Sequence, residues 1–493
     1  MVPDRPLVPA ATTAHRPLLE AAVARLAPVL PMLAELGELF AAAGHELALV
    51  GGPVRDAFLG RVSPDLDFTT DARPDEILEI GARWADAHWD IGREFGTIGL
   101  RKGPLQLEIT TYRADTYDRT SRKPEVMFGD TLDGDLERRD FTVNAMAIRL
   151  PSLEFVDLHG GLDDLLARRL MTPATPEESF ADDPLRMMRA ARFSAQLRFE
   201  VAPQVRAAMT ERATTLRMIS AERVREEFGK LLLAPEPRGG LTLLVDTGLA
   251  DVFLPELPAL RLEIDEHHRH KDVYEHSLIV LEQAIDLEGP PDGPPESVPG
   301  PDLVLRLAAL LHDIGKPATR RFEPAGGVSF HHHELVGAKL VSKRLKAMRF
   351  DKDTTKQVAR LVELHLRFHG YGDGQWTDSA VRRYATDAGP LLPRLHRLTR
   401  SDCTTRNARK AQRLSRAYDD LEKRIERLAA EEELGKVRPE LDGHEIADAL
   451  GIRPGPVLGQ AYSYLLSVRL DEGLIGKDAA RAKLLAWWAN RSD

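Results

Sequence analysis

The chain has 493 residues, enough for several domains, and its 43% apolar and 29% charged residues are typical of a globular protein. No apolar run approaches the roughly 20 residues of a membrane span, and residues 1–17 lack the order of a signal peptide, so we expect a cytoplasmic protein with a loose N-terminal tail. The single cysteine, Cys403, excludes an internal disulfide framework. A formal charge of −10 argues against a generic nucleic-acid coat, so any such binding must rest on local clusters of Lys and Arg.

The first third of the chain mixes helix and strand signals. Residues 18–44 carry Ala and Leu at helical spacing, and Gly44 can end that helix. PVRDAFLG is predicted as a helix that Pro53 opens. Alternating or short apolar runs predict strands in ELALVGG (46–52), DLDFTT (65–70), LQLEITTYR (105–113), FTVNAMAIRL (141–150) and LEFVDL (153–158).

The pattern after about residue 160 is almost wholly helical. Apolar residues recur at intervals of three and four in DDPLRMMRAARFSAQL, AERVREEFGKLLL and VYEHSLIVLEQAI. Residues 289–301, GPPDGPPESVPGP, cannot form a helix and are expected to be a flexible surface excursion. The sequence therefore predicts an α+β protein, with a mixed α/β head followed by an all-helical region.

A glycine pair and two aspartates form the first candidate site. Gly51 and Gly52 stand between a strand and a helix, where the backbone can approach a triphosphate closely and helix N–H groups face its charge. Asp65 and Asp67 are two apart on a strand, so their side chains project from one face. Converging carboxylates repel unless a cation lies between them, and Mg²⁺ takes carboxylate and phosphate oxygens together. The pair predicts a two-magnesium site that activates a 3′-hydroxyl and stabilises a pyrophosphate leaving group.

A longer ordered set of motifs carries a family resemblance. It comprises LVGGPVRDAFLG, DLDFTT, LERRDFTVNAMA (136–147), GGLDDL (160–165), DDPLRMMRAARF (182–193) and ERVREEFGKLLL (222–233). This set resembles the polymerase-beta-like nucleotidyltransferases, in particular the bacterial class II tRNA CCA-adding enzymes and bacterial poly(A) polymerases. The resemblance implies a nucleotidyltransferase head over 18–170, a helical neck over 171–262, and addition of C, C and A from CTP and ATP to the 3′ end of tRNA.

The resemblance also implies roles for individual residues. Asp65 and Asp67 would be the catalytic metal carboxylates, with Glu108 either a third carboxylate or an ordinary surface residue. Arg138 and Arg139 would meet phosphate or ribose, and Asp140 would accept a hydrogen bond from the ribose 2′-hydroxyl. The remaining nucleotide-binding candidates are Gly51, Gly52, Arg55, Asn144, Asp183, Arg186, Arg189 and Arg192, and the RNA-binding candidates of the neck are Arg223, Arg225 and Lys230.

The base-reading motif of the family usually runs Glu-Asp-x-x-Arg, and here it begins at Asp182. Asp183 and Arg186, one helical turn apart, can present an acceptor beside donors. That pattern matches the Watson–Crick edges of C and A and rejects G and U, so no template is needed. The carboxylate at Asp182 is one methylene shorter than the glutamate of the family motif.

A second constellation lies in the helical half. His276, His312, Asp313 and Asp402 combine imidazole and carboxylate, which suits a transition metal or magnesium. Residues 267–405 resemble the HD superfamily of metal-dependent phosphohydrolases. The resemblance implies that these four bind Mg²⁺, Mn²⁺, Ni²⁺ or a similar divalent ion, and that His333 and His365 hold a second one. His267, His268 and His270 are expected to lie outside the ligand set.

This HD-type unit is expected over 263–430, followed by a helical tail over 431–493. It would hydrolyse phosphates at RNA ends, or else keep its metal mainly to grip RNA. Three basic stretches, over 186–198, 338–350 and 406–416, are interpreted as a track for the tRNA backbone that weakens steeply with salt. The last of them contributes the RNA-binding candidates Arg406, Arg409 and Lys410.

Three other functions compete with CCA addition. A poly(A) polymerase, or an enzyme that adds only A or only C, shares all these motifs. A phosphohydrolase with a vestigial head is disfavoured by the intact DLDF, RRDF and DDPLR motifs. A non-catalytic RNA-binding protein would not explain two full sets of metal ligands. No membrane or protein partner is predicted, and a homodimer is left open.

Overall fold

The computed structural model describes residues 15–63, 65–90, 92–113, 128–129, 131–262, 272–324, 328–370, 376–404, 407–432 and 438–490. The chain divides into two compact units, Met1–Phe253 and Leu254–Asp493. Most of the predicted N-terminal tail, together with His267, His268, His270 and Arg406, lies outside the described residues. No single helix of the described part is long and apolar enough to cross a membrane.

The strands of the first unit are β1 (Leu47–Val50), β2 (Asp65–Thr70), β3 (Ala87–Trp89), β4 (Thr97–Lys102), β5 (Leu105–Thr111), β6 (Met146–Leu150), β7 (Glu154–Asp157), β8 (Arg169–Leu170) and β9 (Glu200–Val201). Its helices are α1 (Arg16–Arg25), α2 (Leu30–Ala42), α3 (Gly52–Phe58), α4 (Pro74–Gly81), α5 (Leu132–Glu137), α6 (Gly161–Leu166), α7 (Pro176–Asp182), α8 (Leu185–Leu197), α9 (Pro203–Arg212), α10 (Ala221–Leu232), α11 (Arg238–Asp246) and α12 (Leu249–Phe253).

The second unit contains the short strands β10 (Arg321–Phe322) and β11 (Val328–Ser329). Its helices are α13 (Val273–Asp286), α14 (Leu303–Leu311), α15 (Lys316–Thr319), α16 (His333–Ala347), α17 (Lys352–Leu364), α18 (Asp378–Ala388), α19 (Leu392–Ser401), α20 (Ala408–Glu432), α21 (Gly443–Leu450), α22 (Pro456–Glu472) and α23 (Lys477–Ala489). The mixed first unit and the mainly helical second unit confirm the predicted fold class.

A seven-stranded sheet organises the start of the chain, in the order β3-β4-β5-β2-β1-β6-β7. β2 and β5 run parallel, with Asp67 opposite Glu108, and the other neighbours in this sheet are antiparallel. β1, fully buried, lies between β2 and β6. The sheet thus places the glycine turn after β1 next to the carboxylates of β2.

Two local predictions differ from the structure. Residues 18–44 form two helices, α1 and α2, bent by 96°, because Pro28 lacks the N–H that a continuous helix would need there. The strand predicted over 141–150 begins only at Met146, since Thr142–Asn144 form a 3-10 turn. Both changes leave the predicted apolar residues buried, including Leu33, Leu36 and Phe40 at 0% exposure.

The helices that follow the sheet pack through an apolar face of α8. Met187, Met188 and Ala190 are fully buried on it, and α10 and α11 lie against it. Gly240 of α11 allows the close approach, because a Cβ there would lie only 2.4 Å from the carbonyl oxygen of Ala191.

The Pro/Gly-rich insert of the second unit lies mostly at the surface, as predicted, and internal hydrogen bonds join its backbone. The amide of Gly289 donates to Val298 at 2.9 Å, and the amide of Gly300 donates back to Gly289 at 3.0 Å. Val298 is only 1% exposed. The insert forms no α-helix, as expected, but contains a 3-10 turn at Pro295–Ser297. Two backbone hydrogen bonds therefore join the two ends of the insert, and the side chain of Val298 is buried.

Candidate nucleotidyl-transfer site and histidine–aspartate metal centre

The glycine turn after β1 adopts a conformation that a side chain would strain. Gly51 has φ 72°, and its amide donates to the carbonyl of Met146 at 3.3 Å. A Cβ at this position would also lie 3.0 Å from Nη1 of Arg139. Glycine is therefore required both by the turn and by the approach of an arginine to the backbone.

Asp65, Asp67 and Glu108 project from neighbouring parallel strands. Asp67 is accessible from solvent, yet the surrounding walls remove much of its hydration, and this desolvation raises its pKa to about 6. Arg139 opposes the rise, whereas Glu108 and Asp65 add to it. A carboxylate held among other carboxylates with incomplete hydration is suited to binding a cation.

A cavity of about 290 Å³ opens beside Asp67. Its walls combine acidic and basic side chains with the ends of β1, β2 and β5. The lining residues are Val50, Asp67, Phe68, Thr110, Arg113, Asp135, Arg138, Arg139, Asp182 and Arg186. Arg113 and Asp135 were not among the predicted site residues, although Asp135 stands one helical turn before Arg139 and ion-pairs with it at 3.1 Å.

A buried chain of polar side chains supports this cavity from within. Arg55 donates through Nη1 to Oδ1 of Asn144 at 2.6 Å, and Asn144 donates to Oδ1 of Asp140 at 3.0 Å. Burial alone would raise the pKa of Asp140, but Arg189 and Asn144 lower it to about 2. The amide of Phe141 and both Nε and Nη2 of Arg189 also donate to the Asp140 carboxylate. All the usual acceptor sites of Asp140 are thus occupied within the protein.

Two predicted nucleotide-binding arginines point into this buried network. Arg189 contacts Asp140 and lies 3.7 Å from Glu227, and Arg192 donates to Glu227 at 2.6 Å. Neither residue is among those that line the described cavity. Of the first predicted basic stretch, Arg192 is buried, Arg186 and Arg189 are half-buried, and only Arg198 is exposed, where it ion-pairs with Glu236 at 2.8 Å.

The base-reading motif sits at a break between two helices. Asp183 has extended backbone angles and lies between α7 and α8, because the following proline disfavours the helical conformation. The prediction that Asp183 and Arg186 lie on one helix is therefore wrong. The amide of Arg186 nevertheless donates to the carbonyl of Asp183 at 2.9 Å. Asp182 and Arg186 line the cavity, whereas the Asp183 carboxylate accepts from Arg223 at 2.9 Å.

Arg186 is itself held by the protein. Nη1 donates to the hydroxyl of Ser179 at 2.9 Å and to its carbonyl at 3.2 Å, and Nη2 donates to the carbonyl of Arg138. The guanidinium is therefore fixed at the cavity wall with Nε and part of Nη2 left for other acceptors.

The remaining predicted RNA-binding residues differ in their surroundings. Arg225 ion-pairs with its neighbour Glu226 at 3.3 Å, and Lys230 is exposed. On α20, Arg409 and Lys410 are exposed.

The second unit brings the predicted histidines and aspartates together. Nε2 of His276 lies 3.0 Å from Oδ1 of Asp402, and Nε2 of His312 lies 3.2 Å from Oδ2 of Asp313. The other oxygen of Asp313 lies 3.2 Å from Nε2 of His333 and 4.0 Å from that of His365. Asp313 therefore stands between two groups of imidazoles and can serve both.

These atoms are close enough to share metal ions. Among the described residues, two groups of three ligand atoms fall within 4.8 Å of one another, and both contain Asp313. Nε2 of His333 and of His365 are buried without a hydrogen-bond partner, which bound cations would satisfy. The carboxylates of Asp65, Asp67 and Glu108 are not among the groups that meet this distance in the described part.

Charge in this centre is unevenly distributed. Burial would lower the pKa of His312, but Asp313 and Asp402 raise it to about 9. Burial and the neighbouring His312 lower the pKa of His365 to about 4, so its imidazole is neutral near pH 7. The pKa of Asp313 lies well below its usual range because His312, His333 and Lys316 outweigh its burial. A metal ion bound at His312 would take the place of the proton that these carboxylates favour there.

The sheet with its carboxylates, and the histidine–aspartate centre, define a nucleotidyltransferase head joined to an HD-type metal domain. Residues 47–171 match the family model described as the poly A polymerase head domain, and residues 273–407 match the HD domain model. Residues 198–260 match the model described as a probable RNA and SrmB-binding site of polymerase A.

Relatives that match over almost their whole length identify the family of this chain. It is 33% identical over 89% of its length to an A-adding tRNA nucleotidyltransferase of Deinococcus radiodurans, of which it covers 95%. It is equally 33% identical over 90% of its length to a CC-adding tRNA nucleotidyltransferase of Thermus thermophilus, covering 94% of that protein. The chain belongs to the bacterial tRNA nucleotidyltransferase and poly(A) polymerase family.

A solved structure agrees in fold. The CCA-adding enzyme of Bacillus stearothermophilus in complex with CTP matches 95% of this chain and 98% of its own, with a TM-score of 0.66 and 22% identity.

Proposed function

We propose that this protein adds C, C and A to the 3′ end of tRNA, taking CTP and ATP and releasing pyrophosphate. The observation that carries the proposal is the cavity in which Asp67 faces Arg138, Arg139 and the base-reading Arg186. The predicted metal ligand Asp67, the predicted phosphate-binding arginines and the predicted base-reading Arg186 thus line one cavity. The CCA-adding enzyme of Thermotoga maritima, similar in fold at a TM-score of 0.59, has been solved with tRNA.

Each wall of the cavity has a part in the transfer. Asp65 and Asp67, assisted by Glu108, would hold divalent ions, for which Mg²⁺ is the natural choice with all-oxygen ligands. When bound, such ions lower the charge of the triphosphate and activate the 3′-hydroxyl. Arg139 reaches the backbone at Gly51 and would contact the phosphates, together with Arg138.

The base would be chosen by donors and acceptors that the protein fixes in advance. Arg186 can donate to the ring nitrogen of C or A, and a carboxylate of the Asp182–Asp183 pair can accept from the exocyclic amino group. G and U present a ring N–H beside a carbonyl and would meet like groups. The 3′-oxygen of the RNA then bonds to the α-phosphorus while the bond from this phosphorus to the pyrophosphate oxygen breaks, so pyrophosphate leaves and the hydroxyl proton passes to solvent.

Product length separates the proposal from its competitors. The protein is incubated with tRNA lacking its 3′ end, with CTP alone, ATP alone and both, and the products are sized. Addition of C, C and A that then stops supports the proposal. Addition of only two C would assign the activity named for the Thermus thermophilus relative. Addition only of A to a tRNA already ending in CC would assign the activity named for the Deinococcus radiodurans relative. Long A tracts would assign poly(A) synthesis.

A second activity is favoured by the histidine–aspartate centre. We propose that His276, His312, Asp313 and Asp402 hold one divalent ion and that Asp313, His333 and His365 hold a second. Ions bound there supply Lewis acidity to a water and to a phosphate ester. Water would then open a terminal 2′,3′-cyclic phosphate or remove a 2′-phosphate from an RNA end.

The two activities should be separable by substitution. Asp67→Ala should remove nucleotide incorporation and leave hydrolysis at RNA ends unchanged, whereas His312→Ala should do the reverse. Conversion of a 2′,3′-cyclic nucleotide to its 2′- or 3′-monophosphate tests ring opening, and phosphate released from a 2′-phosphate end tests the monoesterase. If metal-loaded protein hydrolyses neither end, the HD-type unit has only the RNA-gripping role.

A further inference from the structure

An exposed aromatic residue stands on a short hairpin next to the histidine–aspartate centre. Phe322 of β10 is 70% exposed, the highest value for any large apolar side chain among the described residues. Its strand partner is Val328 of β11, and Arg321 pairs with Ser329. Single exposed apolar residues are common, so the surroundings of the ring decide whether it has a function.

A guanidinium lies over this ring, and neither Arg320 nor Arg321 has an acidic partner among the described residues. The guanidinium of Arg320 lies 5.4 Å from the centroid of Phe322. Arg320 and Arg321 are both exposed, and no ion pair of the described residues involves either of them. The nearby carboxylate of Glu323 instead accepts a hydrogen bond from Ser329. A phenyl ring with a guanidinium over it, next in sequence to a second exposed arginine, is chemically suited to a nucleobase with its phosphates.

Both ends of the hairpin are tied to the metal centre. On one side, Lys316 ion-pairs with Asp313 at 2.6 Å, and β10 begins five residues after Lys316. On the other side, the carbonyl of Phe330, the residue after β11, lies 2.8 Å from Nδ1 of the candidate ligand His333. At roughly 3.4 Å per residue, Val328 is about 7 Å from Phe330. Phe322 is six residues beyond Lys316, so its backbone lies within roughly 20 Å of the backbone of the lysine that contacts Asp313.

We propose that Arg320, Arg321 and Phe322 form a stacking surface for single-stranded RNA, which holds the last nucleobases of an RNA whose terminal phosphate enters the histidine–aspartate centre. This rests on the phosphohydrolase function proposed above. Stacking on Phe322 would not read sequence, because every base has an aromatic face. A protein ligand is the competing occupant of the same surface.

The test compares a long and a short substrate of the same chemistry. Metal-loaded Phe322→Ala is assayed on a short RNA oligonucleotide ending in 2′,3′-cyclic phosphate and on 2′,3′-cyclic AMP. We expect kcat/KM to fall about 5- to 100-fold on the oligonucleotide and to stay unchanged on the mononucleotide. Phe322→Trp should retain the oligonucleotide rate. Leu474→Ala, which removes another exposed side chain of this unit (62% exposed), is the matched control and should change neither rate.

Binding measured without turnover separates this inference from the phosphohydrolase proposal. The affinity of the oligonucleotide is measured by fluorescence anisotropy for His312→Ala with and without Phe322→Ala. A weaker affinity for the double variant supports the stacking surface even if no phosphate is ever released. An unchanged affinity, or an equal loss of activity on both substrates, overturns it and leaves a protein ligand as the occupant.

Discussion

Asp67 and Asp313 each belong to a set of candidate metal ligands, but the two sets are built in opposite ways. Asp67 is open to solvent, and other carboxylates help to raise its pKa. Asp313 is 1% exposed, and cationic neighbours hold its pKa low. In the second set, two groups of three ligand atoms already lie within 4.8 Å of one another, with Asp402 outside both groups, whereas the carboxylates of the first set are spread across two strands. We infer that the head completes its metal site only with the nucleotide, while the HD-type centre is preformed.

Removing a head carboxylate should have the largest effect. Asp67→Ala is expected to lower nucleotide incorporation by more than about 10³-fold, because the metal ions contribute several kcal/mol to the transition state. The measurement is incorporation of labelled CTP into tRNA lacking its 3′ end. Asp251→Ala, on an exposed helix start of the same unit, is the control. Retained activity would show that Asp67 is not a metal ligand.

Metal retention tests the contrast directly. After loading and extensive dialysis, we expect the protein to keep up to two divalent ions, and His365→Ala to keep one fewer, because the buried imidazoles form a site without substrate. Elemental analysis counts the ions. A chelator should abolish phosphate release, and Mg²⁺ alone should restore nucleotide incorporation. Equal retention by wild type and His365→Ala would contradict the second ion.

The buried network behind the head cavity should respond to pH. Asp140→Asn is expected to cost about 2 kcal/mol at neutral pH, because the folded pKa of about 2 lies below the ordinary value of 3.8. A depressed pKa favours folding when the group is ionised, so this stabilisation is present above about pH 4 and is lost as the pH falls towards 2. Urea unfolding of both proteins between neutral and acid pH measures the difference. A difference that does not shrink in acid would exclude this origin.

Base selection should depend on a residue outside the cavity. Arg223→Ala removes the ion pair that holds the Asp183 carboxylate. Misincorporation of G or U relative to C and A should then rise by about three- to tenfold. The factor is modest because the Arg223–Asp183 ion pair is half-exposed. Arg223→Lys should partly restore selection. Arg225→Ala, on the same helix, is the matched control. A uniform loss of rate with every nucleotide would instead indicate the RNA-binding role that the sequence predicts for Arg223.

The smallest effect is expected on α20. Replacing the exposed Arg409 and Lys410 by Ala should make tRNA affinity less dependent on salt. The slope of log affinity against log salt concentration should decrease in magnitude by about one for each phosphate that is no longer neutralised. Filter binding at several salt concentrations measures the slope. An unchanged slope would remove these residues from the predicted tRNA track.

The chemistry of a site can be predicted from the sequence where residues close together in the chain form that site. The glycine turn, the strand carrying Asp65 and Asp67, and the HD dipeptide all follow from the sequence, since strand and turn signals are local. The arginines of α8 show the limit. Their spacing marks them as functional, but Arg189 and Arg192 turn towards Asp140 and Glu227, which lie 49 and 35 residues away. No local pattern indicates which partner a long side chain will take.

The sequence by itself determined the family, the fold class and the two sets of ligand types, because these follow from residue identity and short-range periodicity. Only the tertiary structure decided that Asp313 stands between two groups of imidazoles, that Asp183 is held by Arg223, and that Phe322 is left uncovered. Those outcomes depend on which distant segments pack together. Desolvation and the charges of neighbours in space then determine the pKa and the partner of each side chain.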